Sequence, residues 1–148
     1  MVAQCNIHLV SDERYRLQPV REVRAIDERV KQGELADATN LAKKTAAAVD
    51  KARARISELE QRIAAARRPE ATSTAIELRE RYLARLRRAL DEAKTQLAHA
   101  IVAHEAKTSV VDAARVRLVR ARADKEVVDR HHAKWREMQA KLAERRAD

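Results

Sequence analysis

Apolar residues in the second half of this chain fall into two columns spaced in sevens. Counting from Leu86, the positions Ala93, Ala100, Lys107, Ala114, Ala121, Val128, Trp135 and Leu142 are apolar except for Lys107. Counting from Leu83, the column runs through Leu90, Leu97, His104, Val111 and Leu118, then turns polar at Lys125, His132 and Gln139. The columns alternate three and four residues apart, the mark of a heptad seam along one face of a helix. The first half carries a shorter match, Val49, Ile56 and Ile63 beside Ala52, Leu59 and Ala66. Upstream, the stretch "YRLQPVREVRAIDERVKQGELADA" holds Leu17, Val20, Val23, Ile26, Val30 and Leu35 among Arg, Glu, Asp and Lys. That is enough for one apolar edge and too little for a globular core. These residues drift off the register downstream, as in a helix that changes its supercoil.

The breaks in the pattern set the boundaries. Pro19 suits the first turn of a helix, where its missing N–H costs nothing. Gly33 weakens the helix locally without ending it. Pro69 cannot continue a helix and disfavours helical geometry at Arg68. Thr74 stands three residues before Glu77, the spacing of a capping box. The sequence therefore predicts a loose arm at 1–14, helix 1 over about 19–68, a turn at 69–73 and helix 2 over about 74–146. The expected fold is all-α: a long antiparallel two-helix coiled-coil hairpin with the C-terminal helix longer. Alanine at many seam positions lets the helices approach closely but buries little per layer, so the hairpin is expected to be marginally stable.

Composition narrows the alternatives. Charged residues make up 37%, aromatics 2%, and there are one Gly, two Pro and no Phe. A β or α/β domain needs turn clusters that this chain lacks. Disorder suits so charged a chain, but the regular apolar period and the helix formers between argue against it. The single Cys5 cannot form an internal disulfide. No stretch approaches the roughly 18 apolar residues of a membrane span, and "MVAQCNIHLV" lacks the basic start and apolar run of a signal peptide, so the expected location is the cytoplasm. The net charge of +9 points to an acidic partner, whether nucleic acid, a membrane surface or a protein.

Candidate chemistry is sparse. His99 and His104 are five apart, and His131 and His132 are adjacent, so neither pair has metal-ligand spacing on a helix. Cys5 lacks a context that would activate it, no Gly-rich loop exists to hold phosphate, and a two-helix rod offers no catalytic pocket. The reading is a non-enzyme without cofactor, metal or small-molecule substrate. Basic runs at "RERYLARLRR" and "RVRLVRARADK", the latter with Arg117, Arg120 and Arg122, are either a solvated helix face or an attractive surface for an acidic partner. Nucleic-acid binding is disfavoured, because Tyr15, Tyr82 and Trp135 are too scattered to stack bases and no recognisable module is present. If helix 1 pairs back along helix 2 with Pro19 near Ala123, the end of helix 2 overhangs. There Val128, Trp135 and Leu142 form one apolar stripe without an intramolecular layer, flanked at the Trp by Lys134 and Arg136. Trp and Arg are the residues most often found at interface hot spots.

The opening stretch, from Leu17 to Val23 and then Lys31, Glu34, Leu35 and Ala38, resembles the start of the FliJ/YscO family of type III secretion stalk proteins. "ARVRLVRARADKEVVDRHHAKWREMQ" is similar to that family's basic C-terminal helix. The resemblance covers nearly the whole chain after about residue 14, while "MVAQCNIHLVSDE" departs from the pattern. It implies a two-helix antiparallel coiled coil like the axle of a rotary ATPase. Such a stalk sits in the central hole of the hexameric secretion ATPase, contacts the export gate protein and can bind export chaperones. The location implied is the cytoplasmic face of a secretion apparatus, flagellar or injectisome. The alternative is a generic basic coiled-coil adaptor or nucleic-acid-associated protein.

Overall fold

The structure, a computed structural model, describes residues 14–67 and 73–147. Its fold class is all-α, with two long helices packed against each other and no strand among the described residues. Helix α1 spans Gln18–Ala66, 49 residues, and helix α2 spans Ser73–Ala147, 75 residues. The ends fall within two residues of those predicted. Pro19 lies in the first turn of α1, as its geometry requires, and Gly33 is helical, with no positive φ at any described residue. The expected capping box shifts: Thr74 is already inside the first turn of α2, so the cap position precedes Ser73. That position and residues 69–72 of the predicted 69–73 turn lie outside the described residues, as do residues 1–13 of the expected arm, while Ser73 is already helical.

The chain divides into two units, one of Gln32–Arg117 and one of Met1–Lys31 with Leu118–Asp148. In the first unit the heptad columns are the core. Leu59, Ile63, Leu83, Leu86 and Ala93 form one buried cluster, with Ile56, Ala66, Ala89 and Leu90 packed against it. Ala38, Ala42, Val111 and Ala114 form a second, with Leu35 against it. Alanines fill both sides of that second cluster, so the two helices touch through short side chains. His104, a polar member of its column, is accommodated by Thr45, whose Oγ1 lies 3.0 Å from His104 Nδ1. Arg117 Nε reaches Glu34 Oε2 at 3.4 Å beside this core.

In the other unit α1 and α2 also run antiparallel, but the contents of the contact differ. The heptad spacing of α1 continues upstream from Ala38 and Leu35 through Lys31, Glu28, Arg24 and Arg21. Charged side chains therefore occupy the seam. Arg24 Nη1 lies 3.1 Å from Asp124 Oδ2, and Arg21 Nε lies 2.7 Å from Asp129 Oδ1. Glu28 is bracketed by Arg122 Nε at 3.2 Å and Lys125 Nζ at 2.9 Å. The apolar residues expected to line this edge face away instead: Val20, Val23, Ile26 and Val30 are 42%, 61%, 58% and 51% exposed. The reason is rotational. At roughly 100° per residue, these four lie about a third of a turn away from Arg21, Arg24 and Glu28, and the two sets cannot face α2 together.

Candidate docking face at the end of helix α2

Before α1 begins, the chain makes a turn in which the Gln18 N–H donates to the Tyr15 carbonyl at 3.0 Å. That turn sets Tyr15 against α2, where it is 8% exposed. Its hydroxyl is 2.8 Å from His131 Nδ1. Its ring meets His132 edge-on at a centroid distance of 4.8 Å and tilts against Trp135 at 5.4 Å. His132 in turn stacks on Trp135 at 5.8 Å. Both histidines, which the spacing excluded as a metal pair, act as packing partners of one tyrosine. Among the described residues no group of three His, Cys, Asp or Glu is placed to hold a metal ion.

This cluster corrects the expected register. Arg21 meets Asp129 and Tyr15 meets His131, so the start of α1 lies beyond Ala123 along α2. Val128 and Trp135 do have an intramolecular layer: both are half-buried, and Tyr15 fills it. Leu142 is 42% exposed, and Met138 is 55% exposed on the same terminal segment. Among the described residues the overhang starts about two turns later than the heptads alone suggest. Tyr15 was the residue that sequence reasoning missed. Its signal was present, an aromatic placed just before a helix start, where a side chain can pack back on a neighbouring element.

Two hollows flank Trp135. One, of about 500 Å³, is walled by Tyr15, Pro19 and Trp135 and rimmed by Arg14, Arg16 and Glu22. The other, of about 350 Å³, runs along α2 past Gln139, Leu142 and Arg146. Lys134 and Arg136 are exposed beside the indole and pair with no carboxylate among the described residues. The structure thus brings Trp135, Leu142, Lys134 and Arg136 to one end of α2 and adds Arg14, Tyr15 and Arg16 from the turn before α1.

The other predicted basic residues divide. Arg117 and Arg122 are turned toward α1, paired with Glu34 and Glu28, whereas Arg120 is exposed with no carboxylate partner among the described residues. Lys125 and Arg122 hold the Glu28 carboxyl below the usual carboxylate range, the Lys125 hydrogen bond being the larger cause. At the tip of α2, Lys141 does the same to Glu137. Arg117 and Arg122 therefore contribute first to the α1–α2 contact and only secondarily to an external face.

No helix among the described residues is long and apolar enough to cross a membrane. Comparison with protein-family models, with curated proteins and with solved structures finds no match to this chain.

Proposed function

We propose that this chain is an interaction protein whose docking end is the Trp135 face of α2, and that it serves as the central stalk of a type III secretion export apparatus. On this reading it engages the hexameric secretion ATPase and the export gate protein, with export chaperones as further partners, at the cytoplasmic face of the apparatus. The observation that carries the docking assignment is Trp135 itself, a half-buried indole shared by two hollows and flanked by the exposed cations Lys134 and Arg136. Half-buried aromatics beside unpaired cations are the composition of interface hot spots. The assignment to a secretion stalk rests on the resemblance of the Leu17–Ala38 and Ala114–Gln139 segments to the FliJ/YscO family, and the all-α two-helix fold supports it.

The exposed charges fit a contact made of many screened attractions. Each pair at such a surface contributes about 0–1 kcal/mol, and added salt weakens them together. The test is a titration of the purified chain against a type III secretion ATPase, alongside a DNA duplex of equal charge density. Saturable ATPase binding that falls at least about tenfold in the Lys134→Glu/Arg136→Glu variant supports the proposal. Absence of ATPase binding with tight, salt-sensitive DNA binding would overturn it in favour of a nucleic-acid-associated rod.

A further inference from the structure

The larger hollow beside Trp135 lies where the chain enters the fold. Its walls are the apolar surfaces of Tyr15, Pro19 and Trp135, and Arg14, the first described residue, stands on its rim. The turn closed by the Gln18 N–H on the Tyr15 carbonyl fixes this end of the chain. The residues that precede Arg14 therefore leave from the edge of the hollow. At about 500 Å³ the space falls within the range of pockets that take a ligand, about 300–1,000 Å³.

The charges on the rim are open toward an occupant on the basic side. Arg14 and Arg16 are exposed and pair with no carboxylate among the described residues. The carboxylate among the lining residues, Glu22, accepts from Gln18 Nε2 at 2.9 Å along α1 itself. An occupant suited to this site carries aliphatic side chains next to carboxylates. The chain before Arg14 has that composition in that order: "NIHLV" supplies Ile7, Leu9 and Val10, and "SDE" follows with Asp12 and Glu13. Val10 and Leu9 can stand at most roughly 14 and 18 Å from Arg14 along an extended chain. The hollow begins at Arg14, so both can reach it.

We infer that residues 7–10 occupy the hollow beside Trp135, with Asp12 and Glu13 beside the rim arginines, so that the docking end of α2 is covered by its own chain until a partner displaces the segment. A short tether holds a segment at an effective concentration on the order of millimolar, so even a weak contact is populated. A partner that docks on Trp135 must compete with it, and its apparent affinity falls in proportion to the fraction of chains left open. That consequence rests on the reading of Trp135 as a docking face; the contact within the chain does not.

Cys5 is the only cysteine and Trp135 the only tryptophan. A bimane attached to Cys5 of the full chain is therefore quenched at contact range by a single indole. Its emission should rise at least about twofold in Leu9→Ser/Val10→Ser and in Trp135→Phe, as for a segment bound more than half the time, with helix content by circular dichroism unchanged. Arg14→Glu/Arg16→Glu and added salt should raise it too, because both weaken the charged part of the contact. Equal emission in all variants overturns the inference. So does quenching that disappears on dilution, which would put a second copy in the hollow. Titration with a type III secretion ATPase separates the two readings. Bimane results as expected without ATPase binding would sustain the contact within the chain and remove the docking reading. A bimane unquenched in every variant, with the ATPase binding wild type and Leu9→Ser/Val10→Ser alike, would remove the contact and leave the docking reading in place.

Discussion

The Tyr15 ring lies 5.4 Å from Trp135, centroid to centroid, although the two are separated by nearly the whole chain. This contact joins the turn before α1 to the far part of α2 and makes Trp135 a structural as well as a surface residue. Its truncation is therefore expected to disturb local packing, whereas an unpaired overhang would leave the fold untouched.

Tyr15→Ala separates the two roles. An aromatic pair contributes about 0.5–1.5 kcal/mol beyond the area it buries. The chain has one Trp, so its fluorescence reports on this site alone. The variant should show a red-shifted Trp135 emission and a loss of local stability of about 1 kcal/mol, with total helix content nearly unchanged. Emission identical to wild type would mean that Tyr15 does not cover the indole in solution.

Gly33 offers the opposite test. It sits in the interior of α1, and a Cβ built there meets nothing within 4 Å. Its backbone is helical, not left-handed. Nothing about the position uses the freedom of glycine, so Gly33→Ala should stabilise the chain by about 0.8–1 kcal/mol, read as a rise in melting temperature. A loss of stability would reveal a neighbour close against Gly33.

Heptad counting found the core where leucine and isoleucine stand in the columns: Leu59, Ile63, Leu83 and Leu86 are buried as their spacing requires. It failed in α1 upstream of Leu35, for a definite reason. Apolar content was taken to mark the face that meets α2, but the seam there is held by Arg21, Arg24 and Glu28. Extending the sevens backward from Ala42 and Ala38 would have reached those charged residues, whose partners Asp129, Asp124 and Arg122 stand in matching order along α2. The candidate site was half legible. Trp135, Leu142, Lys134 and Arg136 stood out by type and spacing, but Tyr15 reaches Trp135 only through the register of the helices, which the misread edge had shifted.

Glu28 gives a pH dependence with a defined sign. Hydrogen bonds and charge from Lys125 and Arg122 lower its folded pKa. A lowered carboxyl contributes stability that is complete above the unfolded glutamate value of about 4.3 and is lost as pH falls through the lower folded value. Melting of wild type and Glu28→Gln across this range should differ most at the higher pH and converge in acid. A difference that stays constant with pH would show that Glu28 contributes by packing and not by charge.

The two units should also differ in how readily they open. Gln32–Arg117 is held by buried apolar clusters, with Leu59 at 2% and Leu83 at 3% exposure. The other unit buries only Tyr15, Leu118 and Ala121 among its described apolar residues and otherwise joins its helices through partly exposed ion pairs, each worth about 0–1 kcal/mol. Local opening free energy follows buried apolar contact, so amide hydrogens in sparsely packed segments exchange sooner. Hydrogen exchange of the full chain at neutral pH should therefore show faster exchange for amides around Val23–Val30 and Leu118–Val128 than around Ile56–Ile63 and Leu83–Ala93. Raising salt should widen the gap, because screening weakens exposed ion pairs and leaves apolar contacts intact. Uniform protection along both helices, insensitive to salt, would mean that the ionic seam holds as firmly as the apolar one.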